Sequence, residues 1–346
     1  MDTMQLEQIL KQAEKLKIMV VGDYFLDHYL FIDPTKEEFS RETGKRVYQV
    51  VQVESSPGAA GSVVSKLSAL GVPDIIAVGA IGRDTYGFEL KRLLQAEGAD
   101  ISNLLESHDR VTPTYIKPTL RFEVYNEELN RLDIKNWSET PRELEDRFIS
   151  TIKEQGPTCD AVIVIDQVDE PECGVITSRV RRALRELGEQ HPQLIILVDS
   201  RSRIHEFSQV MIKPNEFEAG KALGLDGPID DPARAARTLF QQTLRPVFLT
   251  CGENGQWVYD GTQAVHAPAL RVEGPIDIVG AGDSTSAGIV VALASGAAPQ
   301  DAAFFGNLVA SITITKLGTT GTASPQEIRA RFHEYSRKSS GGTNAE

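Results

Sequence analysis

The residues best suited to chemistry form a glycine turn that leads into a helix, Asp277-Ile278-Val279-Gly280-Ala281-Gly282-Asp283. Glycine allows the backbone to bend so that successive N–H groups point outward. A helix N-terminus adds unpaired donors and a partial positive charge, which suit a phosphate or an oxyanion. The carboxylate of Asp283 can cap this helix, or it can accept a proton from a hydroxyl that attacks a phosphate. Spacing alone leaves both roles of Asp283 open.

Two further polar clusters follow short apolar runs in the second half of the chain. Asn215 and Glu218 are three residues apart, so on a helix they share a face, and together they can hold a hydrated Mg²⁺ beside phosphates. A solvated helix start is the alternative. The stretch Thr250-Cys251-Gly252-Glu253-Asn254-Gly255 can wrap a nucleotide phosphate through its backbone, or it can simply enter a hairpin.

A third cluster, Gly22-Asp23-Tyr24-Phe25-Leu26-Asp27, follows the first apolar run. The carboxylates of Asp23 and Asp27 can accept hydrogen bonds from sugar hydroxyls, with a turn or a helix cap as the alternative role. The chain has no Walker A sequence, and Gly22 is only one of the glycines that a GxGxxG motif requires here. These observations exclude a P-loop kinase and disfavour a nicotinamide dehydrogenase.

Five short runs rich in Val and Ile predict the elements that position these clusters. Such runs are typical of strands buried on both faces of a parallel sheet, and helical patterns lie between them. We therefore predict an α/β fold with a doubly wound, mostly parallel sheet and helices on both faces, in which ligands bind beyond the C-terminal ends of the strands. The runs are Ile18–Val21, Ile75–Gly79, Ala161–Ile165, Leu194–Val198 and Val247–Thr250.

Two segments interrupt this alternation, at about residues 28–53 and 111–132. Both contain β-rich runs with turn signals, and both are too long for ordinary connections in an α/β sheet. We predict that they form a small β lid, with a surface hairpin of no special role as the alternative. Residues 337–346 are polar and rich in Gly and Ser, so a disordered tail is expected there after a single domain that spans residues 1–336.

The composition excludes several classes of protein and site. The 346-residue chain has a net charge of −13, which argues against a nucleic-acid binder because such binding depends on neutralising phosphates. No apolar run approaches the ~18 residues needed to span a bilayer, and residues 1–17 contain no signal-peptide core. Three sparse cysteines without a CxxC motif indicate a reducing cytoplasm, and the scattered histidines make a His or Cys metal site unlikely.

Taken together, these motifs resemble those of the ribokinase-like (PfkB) carbohydrate kinases over roughly residues 17–335. The resemblance is carried, in chain order, by Ser56–Ser62, Val78–Gly87, Lys213–Glu218, Thr250–Gly255 and Asp277–Asp283. Within the family, the chain resembles the heptose 7-phosphate kinase branch. That likeness rests on Gly22–Tyr29, Asn130–Asp133, Ser284 with Thr285, and Lys316–Thr319.

The resemblance implies ATP-dependent phosphorylation of a sugar hydroxyl with Mg²⁺. It implies that Asp283 is the general base and that the amides of Gly280, Ala281 and Gly282 form the anion hole. The implied nucleotide-binding residues are Asn215, Glu218, Thr250, Gly252, Gly255 and Asn307, with Asn215 and Glu218 also near Mg²⁺ through water. The implied substrate-binding residues are Asp23, Asp27, Gly58, Ala59, Ser62, Lys117 and Arg131. In relatives the lid closes over the sugar and often pairs two subunits, so a homodimer is expected.

Three departures from the family pattern affect the sugar side. Ala59 and Ser62 occupy positions where a second Gly and an Asn are usual, and the run 166–170 lacks the lysine that branch members commonly have there. A kinase for a ketohexose, ribose or a nucleoside therefore remains an alternative, as does a non-catalytic ligand-binding regulator on the same fold. No nucleotidyltransferase module follows the kinase module, so we expect that this chain does not complete a nucleotide sugar alone.

Overall fold

The computed structural model of the chain describes residues 1–122, 125–318 and 320–341. The largest layer of this part of the chain is a nine-stranded sheet. From one edge to the other its strands are β16 (Ala264–Ala267), β15 (Gln256–Tyr259), β14 (Val247–Thr250), β13 (Met211–Ile212), β12 (Ile195–Ser200), β11 (Ala161–Asp166), β1 (Lys17–Gly22), β6 (Asp74–Gly82) and β7 (Asp100–Ser107). All neighbours from β14 to β7 are parallel, and β15 and β16 continue the sheet in antiparallel fashion.

Helices cover both faces of this sheet. They are α1 (Thr3–Ala13), α2 (Ala60–Ala69), α3 (Thr85–Ala96), α4 (Arg142–Gln155), α5 (Ser178–Gln190), α6 (Glu216–Ala222), α7 (Pro232–Thr243), α8 (Ala281–Ala294), α9 (Pro299–Thr313) and α10 (Pro325–Gly341). Alternate residues of β1 enter different cores, with Ile18 and Val20 in one and Met19 and Val21 in the other. Burial on both faces explains the continuous apolar runs, and the predicted doubly wound α/β fold is confirmed.

A second sheet, which we call the lid sheet, is built from both predicted insertions. Its strands are β5 (Val50–Ala59), β2 (Tyr24–Ile32), β8 (Thr114–Arg121) and β10 (Leu132–Ile134), with β9 (Asn126–Glu128) paired to β8 and a separate hairpin of β3 (Glu38–Phe39) and β4 (Arg46–Val47). The strands extend beyond the predicted limits because β2 pairs with β5 from Tyr24 opposite Ala59 onward. The lid sheet therefore begins directly after Asp23.

The C-terminal helix extends past residue 336, where the single domain was predicted to end. The disordered tail was predicted for residues 337–346; α10 continues to Gly341, and residues 342–346 lie outside the described residues. Ile328 and Phe332 anchor α10 in the core. Once a helix is anchored, adding residues to its end fixes few further torsions for each new hydrogen bond.

Two other expectations concern membranes and cysteines. None of the helices in the described ranges is long and apolar enough to cross a bilayer. Cys159, Cys173 and Cys251 are free thiols in buried positions.

Candidate active site

The turn that begins α8 has the geometry that the sequence predicts. Gly280 adopts φ 76° and ψ 7°, a left-handed conformation that favours glycine, and α8 starts at the next residue. Asp283 lies in the first turn of this helix, where the partial positive charge of the helix is greatest. No side-chain capping bond forms at Gly280 within the described structure. The carboxylate of Asp283 is thus not used as the cap of its own helix.

The half-buried carboxylate of Asp283 has neighbours from three other elements. Burial raises its pKa, while the positive charge of Lys66 and a hydrogen bond from Ser62 act in the opposite direction; the net pKa is above the ordinary value. Asp199 raises it further, and Lys213 lowers it. A carboxylate with a raised pKa takes a proton from a hydroxyl more readily than an ordinary one.

A buried ion pair lies beside the turn at Gly282. The Lys213 Nζ lies 2.9 Å from Asp199 Oδ2, and Ser286 Oγ donates to the same oxygen at 3.2 Å. Burial alone would lower the pKa of Lys213, but Asp199 and Glu218 raise it above its usual range. A Cβ at Gly282 would lie 3.8 Å from this Nζ, so the cation is adjacent to the turn.

Asn215 and Glu218 form a reciprocal cap at the start of α6. The Asn215 Oδ1 accepts hydrogen bonds from the amides of Phe217 and Glu218, each at 2.9 Å, and Glu218 Oε2 accepts from the amide of Asn215 at 2.8 Å. Burial and the charge of Asp199 raise the pKa of Glu218 to about 7. The carboxyl oxygens of Glu218 and Asp199 are hard donors of the kind that Mg²⁺ prefers. A Mg²⁺ ion near them fits because it would offset the repulsion between the two carboxylates. No group of three or more His, Cys, Asp or Glu side chains suited to a metal occurs in the described ranges.

The Thr250–Gly255 stretch lies beside Asn215. The amide of Thr250 donates to Pro214 O at 2.9 Å, and Gly252 at φ 53° faces open space. Gly255 has a structural reason to be glycine, because a Cβ there would lie 2.3 Å from Ala267 O.

Asn307 braces the neighbouring hairpin from α9. Its Nδ2 donates to Ala267 O and Pro268 O at 3.0 Å each, and its Oδ1 accepts from Gln256 Nε2 at 2.8 Å.

In the lid sheet, Asp27 of β2 is held by Lys117 of β8. The Lys117 Nζ lies 3.0 Å from Asp27 Oδ1 and donates to the Tyr29 hydroxyl at 3.1 Å. The glycine-rich turn packs on this carboxylate, since a Cβ at Gly58 would lie 3.0 Å from Asp27 Oδ2. Ala59 adopts φ 50° and ψ −119°, a conformation that normally belongs to glycine. Ser62, in the first turn of α2, hydrogen-bonds Asp283 and so links α2 to the turn that begins α8.

A family model described as pfkB family carbohydrate kinase matches residues 15–327. The chain belongs to this family. The bifunctional protein HldE of Citrifermentans bemidjiense is 30% identical over 335 residues, which cover 95% of this chain and 66% of the relative. The HldE protein of Geotalea uraniireducens is 29% identical over 337 residues, with 96% and 66% covered. The chain spans just under two thirds of the length of these curated relatives.

Solved structures of carbohydrate kinases share the fold. Ribokinase from Thermotoga maritima has a TM-score of 0.68 at 20% identity and covers 92% of this chain and 99% of its own. Ribokinase from Arabidopsis thaliana, complexed with ribose and ATP, has a TM-score of 0.68 at 16% identity, with 91% and 98% covered. Phosphofructokinase-2 from Escherichia coli, complexed with fructose-6-phosphate, has a TM-score of 0.69 at 16% identity, with 93% and 100% covered. The ribokinase-like fold is thereby confirmed.

Two of the residues predicted to bind substrate in this carbohydrate kinase are engaged elsewhere. The carboxylate of Asp23 accepts hydrogen bonds from the amides of Gln167, Val168 and Val175 at 2.9, 3.1 and 2.7 Å. Asp23 therefore ties the 167–175 segment to the end of β1. Arg131 lies in the lid sheet, where its guanidinium donates twice to Asp133 and stacks on Tyr115 at 3.9 Å.

Three charged residues beside the catalytic turn were not predicted as site residues: Lys66, Asp199 and Lys213. Lys66 carried a signal, because it is the one charged residue in the helix of small and apolar residues that follows the glycine-rich turn. Asp199 also carried one, since it ends an apolar run at the edge of the sheet where ligands bind. Each of the three lies more than 60 residues before the Gly280–Asp283 turn in sequence, so only the fold brings it there.

Proposed function

We propose that the chain is an ATP-dependent kinase that transfers the γ-phosphoryl group to a hydroxyl of a sugar or sugar phosphate. In this reaction Asp283 takes the hydroxyl proton, the acceptor oxygen bonds to the γ-phosphorus, and the bond from that phosphorus to ADP breaks. The observation that carries the proposal is the placement of Asp283. It lies in the first turn of α8 without capping it, and Lys66 and Lys213 lie nearby.

The amides of Gly280, Ala281 and Gly282 are proposed to receive the charge that develops on the transferring group. This use is supported by the left-handed Gly280 and by the absence, in the described structure, of a side-chain cap at Gly280, while the Ala281 amide also donates to Ile278 O at 3.1 Å. Preorganised donors of this kind typically contribute 10²- to 10³-fold each to turnover, as a rough guide.

Mg²⁺ and the nucleotide are assigned to the neighbouring elements. Glu218, with its raised pKa and its proximity to Asp199, would hold Mg²⁺ through water together with Asn215. The ion would supply neutralisation of the phosphate charge of ATP. Thr250 and Gly252 are proposed to line the nucleotide site, and the open space at Gly252 supports this role. Gly255 and Asn307 would shape that site by holding the hairpin.

The first acceptor to test is a heptose 7-phosphate. The resemblance of residues 22–29 to that kinase branch supports it, as does the similarity to proteins named HldE. Asp27, Gly58, Ala59, Ser62 and Lys117 are proposed to form the sugar side, while Asp23 and Arg131 would shape it from a distance. A ketohexose, ribose and a nucleoside are the alternative acceptors.

The proposal includes a homodimer formed through the lid sheet, in the cytoplasm. The lid sheet exposes large apolar side chains: Val50, Val51, Val53 and Leu132 are 44%, 49%, 54% and 58% exposed. Large exposed apolar side chains are candidates for an interface. Light scattering of the wild type and of Val51→Glu tests it, since a lid-mediated dimer would become a monomer in the variant.

A panel of acceptors with ATP and Mg²⁺, read out as ADP release, tests the proposed function. It should contain a heptose 7-phosphate, fructose, fructose 6-phosphate, ribose and a nucleoside. Release of ADP that depends on one acceptor supports the kinase and identifies its substrate class. Calorimetric binding of a sugar without any ADP release would instead favour the non-catalytic regulator.

A further inference from the structure

Lys66 is a buried cation on the sugar side of the catalytic turn. It lies on α2, one turn after Ser62, and its side chain is only 1% exposed. Its Nζ donates a hydrogen bond to Ser62 Oγ at 3.0 Å. Every other buried residue of this helix is small or apolar.

The charge of Lys66 has no close counterion. In the described part of the chain, no carboxylate oxygen lies within 4.0 Å of its Nζ, whereas the buried lysines Lys117 and Lys213 have Asp27 and Asp199 at 3.0 and 2.9 Å. An isolated buried charge is strongly unfavourable unless an opposite charge compensates it. In the described structure Asp283 and Asp27 act on this cation only from beyond 4.0 Å, so they compensate its charge incompletely.

The position of Lys66 indicates which anion could pair with its ammonium group. A Cβ built at Gly280 would lie 3.4 Å from the Lys66 Nζ, while a Cβ at Gly282 would lie 3.8 Å from the Lys213 Nζ. The two ammonium groups thus lie beside opposite ends of the same turn. Ser62, the hydrogen-bond partner of Lys66, also bonds the carboxylate of Asp283. Lys66 therefore lies next to both the turn that begins α8 and the partner of the Asp283 carboxylate.

We propose that Lys66 is a catalytic residue that donates to an equatorial oxygen of the transferring phosphoryl group. This assignment rests on the proposed kinase function. The transferring group spreads negative charge over its three equatorial oxygens between the acceptor and ADP. Lys66 meets that charge from the acceptor side and Lys213 from the nucleotide side. Burial lowers the pKa of Lys66 in the absence of ligand, and Asp283 and Asp27 oppose this change only in part.

Lys66 could instead pair with a charged substituent on the acceptor. The two roles predict different changes in kcat and KM when Lys66 is replaced. A contact present only with the transferring group lowers kcat when it is removed and leaves KM nearly unchanged. A contact with a substituent that stays charged throughout raises KM for that acceptor with kcat retained.

The test compares the wild type with Lys66→Met and Lys66→Gln, using ATP, Mg²⁺ and the acceptor that the panel identifies. We expect kcat to fall by roughly 10²- to 10³-fold in both variants, with KM for ATP and for the acceptor within about threefold of the wild type. Lys91→Met is the control, since it removes a lysine charge on α3, where Lys91 pairs with Glu106 at 2.6 Å, away from the turn. It should keep the wild-type kcat.

A binding experiment separates the charge contact from damage to the fold. ADP with Mg²⁺ should raise the melting temperature of the wild type, and addition of aluminium fluoride to that complex should raise it further. Lys66→Met should keep the shift caused by ADP and lose the additional one, while melting no lower than the wild type without ligand, because an uncompensated buried charge has been removed.

Unchanged kcat in both Lys66 variants, or a rise in acceptor KM with kcat retained, would overturn the assignment of Lys66. An equal loss in Lys91→Met would also overturn it, because the loss would then not depend on the position of Lys66. A wild type that releases no ADP with any acceptor contradicts the proposed function instead.

Discussion

The ammonium of Lys213 and the carboxylate of Asp199 lie 2.9 Å apart, and both side chains are buried. Asp199 is the penultimate residue of β12 and Lys213 follows the neighbouring strand β13, so two adjacent parallel strands place the pair at the C-terminal edge of the sheet. The pair fixes a cation beside the amides that begin α8. Breaking it should therefore affect both stability and turnover, in separable ways.

Removal of one partner of this pair should be costly. Lys213→Met leaves the Asp199 charge buried without a partner, so we expect the free energy of unfolding to fall by about 3–5 kcal/mol in chemical denaturation. The double variant Lys213→Met with Asp199→Asn should recover most of that loss, yet its turnover should stay low because the cation is absent. Lys153→Met, which breaks a 2.8 Å pair between half-exposed partners, is the control and should cost less than about 1 kcal/mol. A loss of equal size in the control would contradict a special role for burial.

Asp283→Asn should abolish proton removal and preserve nucleotide binding. We expect turnover to fall at least about 100-fold, since the amide cannot accept the hydroxyl proton, while calorimetry gives a nearly unchanged Kd for ADP. Asp301→Asn is the control, because it makes the same Asp-to-Asn change at the start of α9. There the carboxylate pairs with the N-terminal ammonium at 2.8 Å. That variant should keep wild-type turnover. Near-native turnover of Asp283→Asn would exclude Asp283 as the base.

The affinity for Mg²⁺ should depend on pH through Glu218. Burial and Asp199 raise the pKa of Glu218 to about 7, so its carboxyl group holds a proton below that pH and is ionised above it. Because Mg²⁺ binds the ionised form, its apparent affinity should rise about tenfold per pH unit on approaching pH 7 and level off at higher pH.

Titration calorimetry with Mg²⁺ and ADP between pH 5.5 and 8.5 measures this dependence. Glu218→Gln should bind Mg²⁺ more weakly and with a flatter pH profile. A profile in Glu218→Gln as steep as that of the wild type would assign the titration to another group, such as the nucleotide itself.

Ala59 should be a position where glycine stabilises the protein. Its φ of 50° with ψ of −119° is unfavourable for a residue with a Cβ, at a cost of about 1–3 kcal/mol, and glycine removes that strain while adding some freedom to the unfolded chain. Ala59→Gly should thus raise the free energy of unfolding by about 1 kcal/mol. Ala60→Gly, one residue later in α2, is the control and should lower it by a similar amount. Destabilisation by both changes would show that Ala59 is not strained.

Much of the fold follows from local pattern. The five apolar runs are all strands of the central sheet, and burial on both of its faces gives them no polar alternation. The limits of the lid sheet and of α10 were less predictable. β2 pairs with a segment that starts almost 20 residues further along the chain, and the end of α10 depends on how the helix is anchored.

Parts of the candidate site, like parts of the fold, follow from local sequence, and the rest depend on tertiary contacts. Glycine spacing and family resemblance predicted Asp283, its turn and the Asn215–Glu218 element, because each is encoded within a few consecutive residues. Whether a side chain is free for chemistry was decided by tertiary contacts. Asp23 and Asp27 look alike in sequence, yet three amides occupy Asp23 while Lys117 pairs with Asp27. The positions of Lys66, Asp199 and Lys213 around one turn depend on packing between distant segments, since charges act through space and not along the chain.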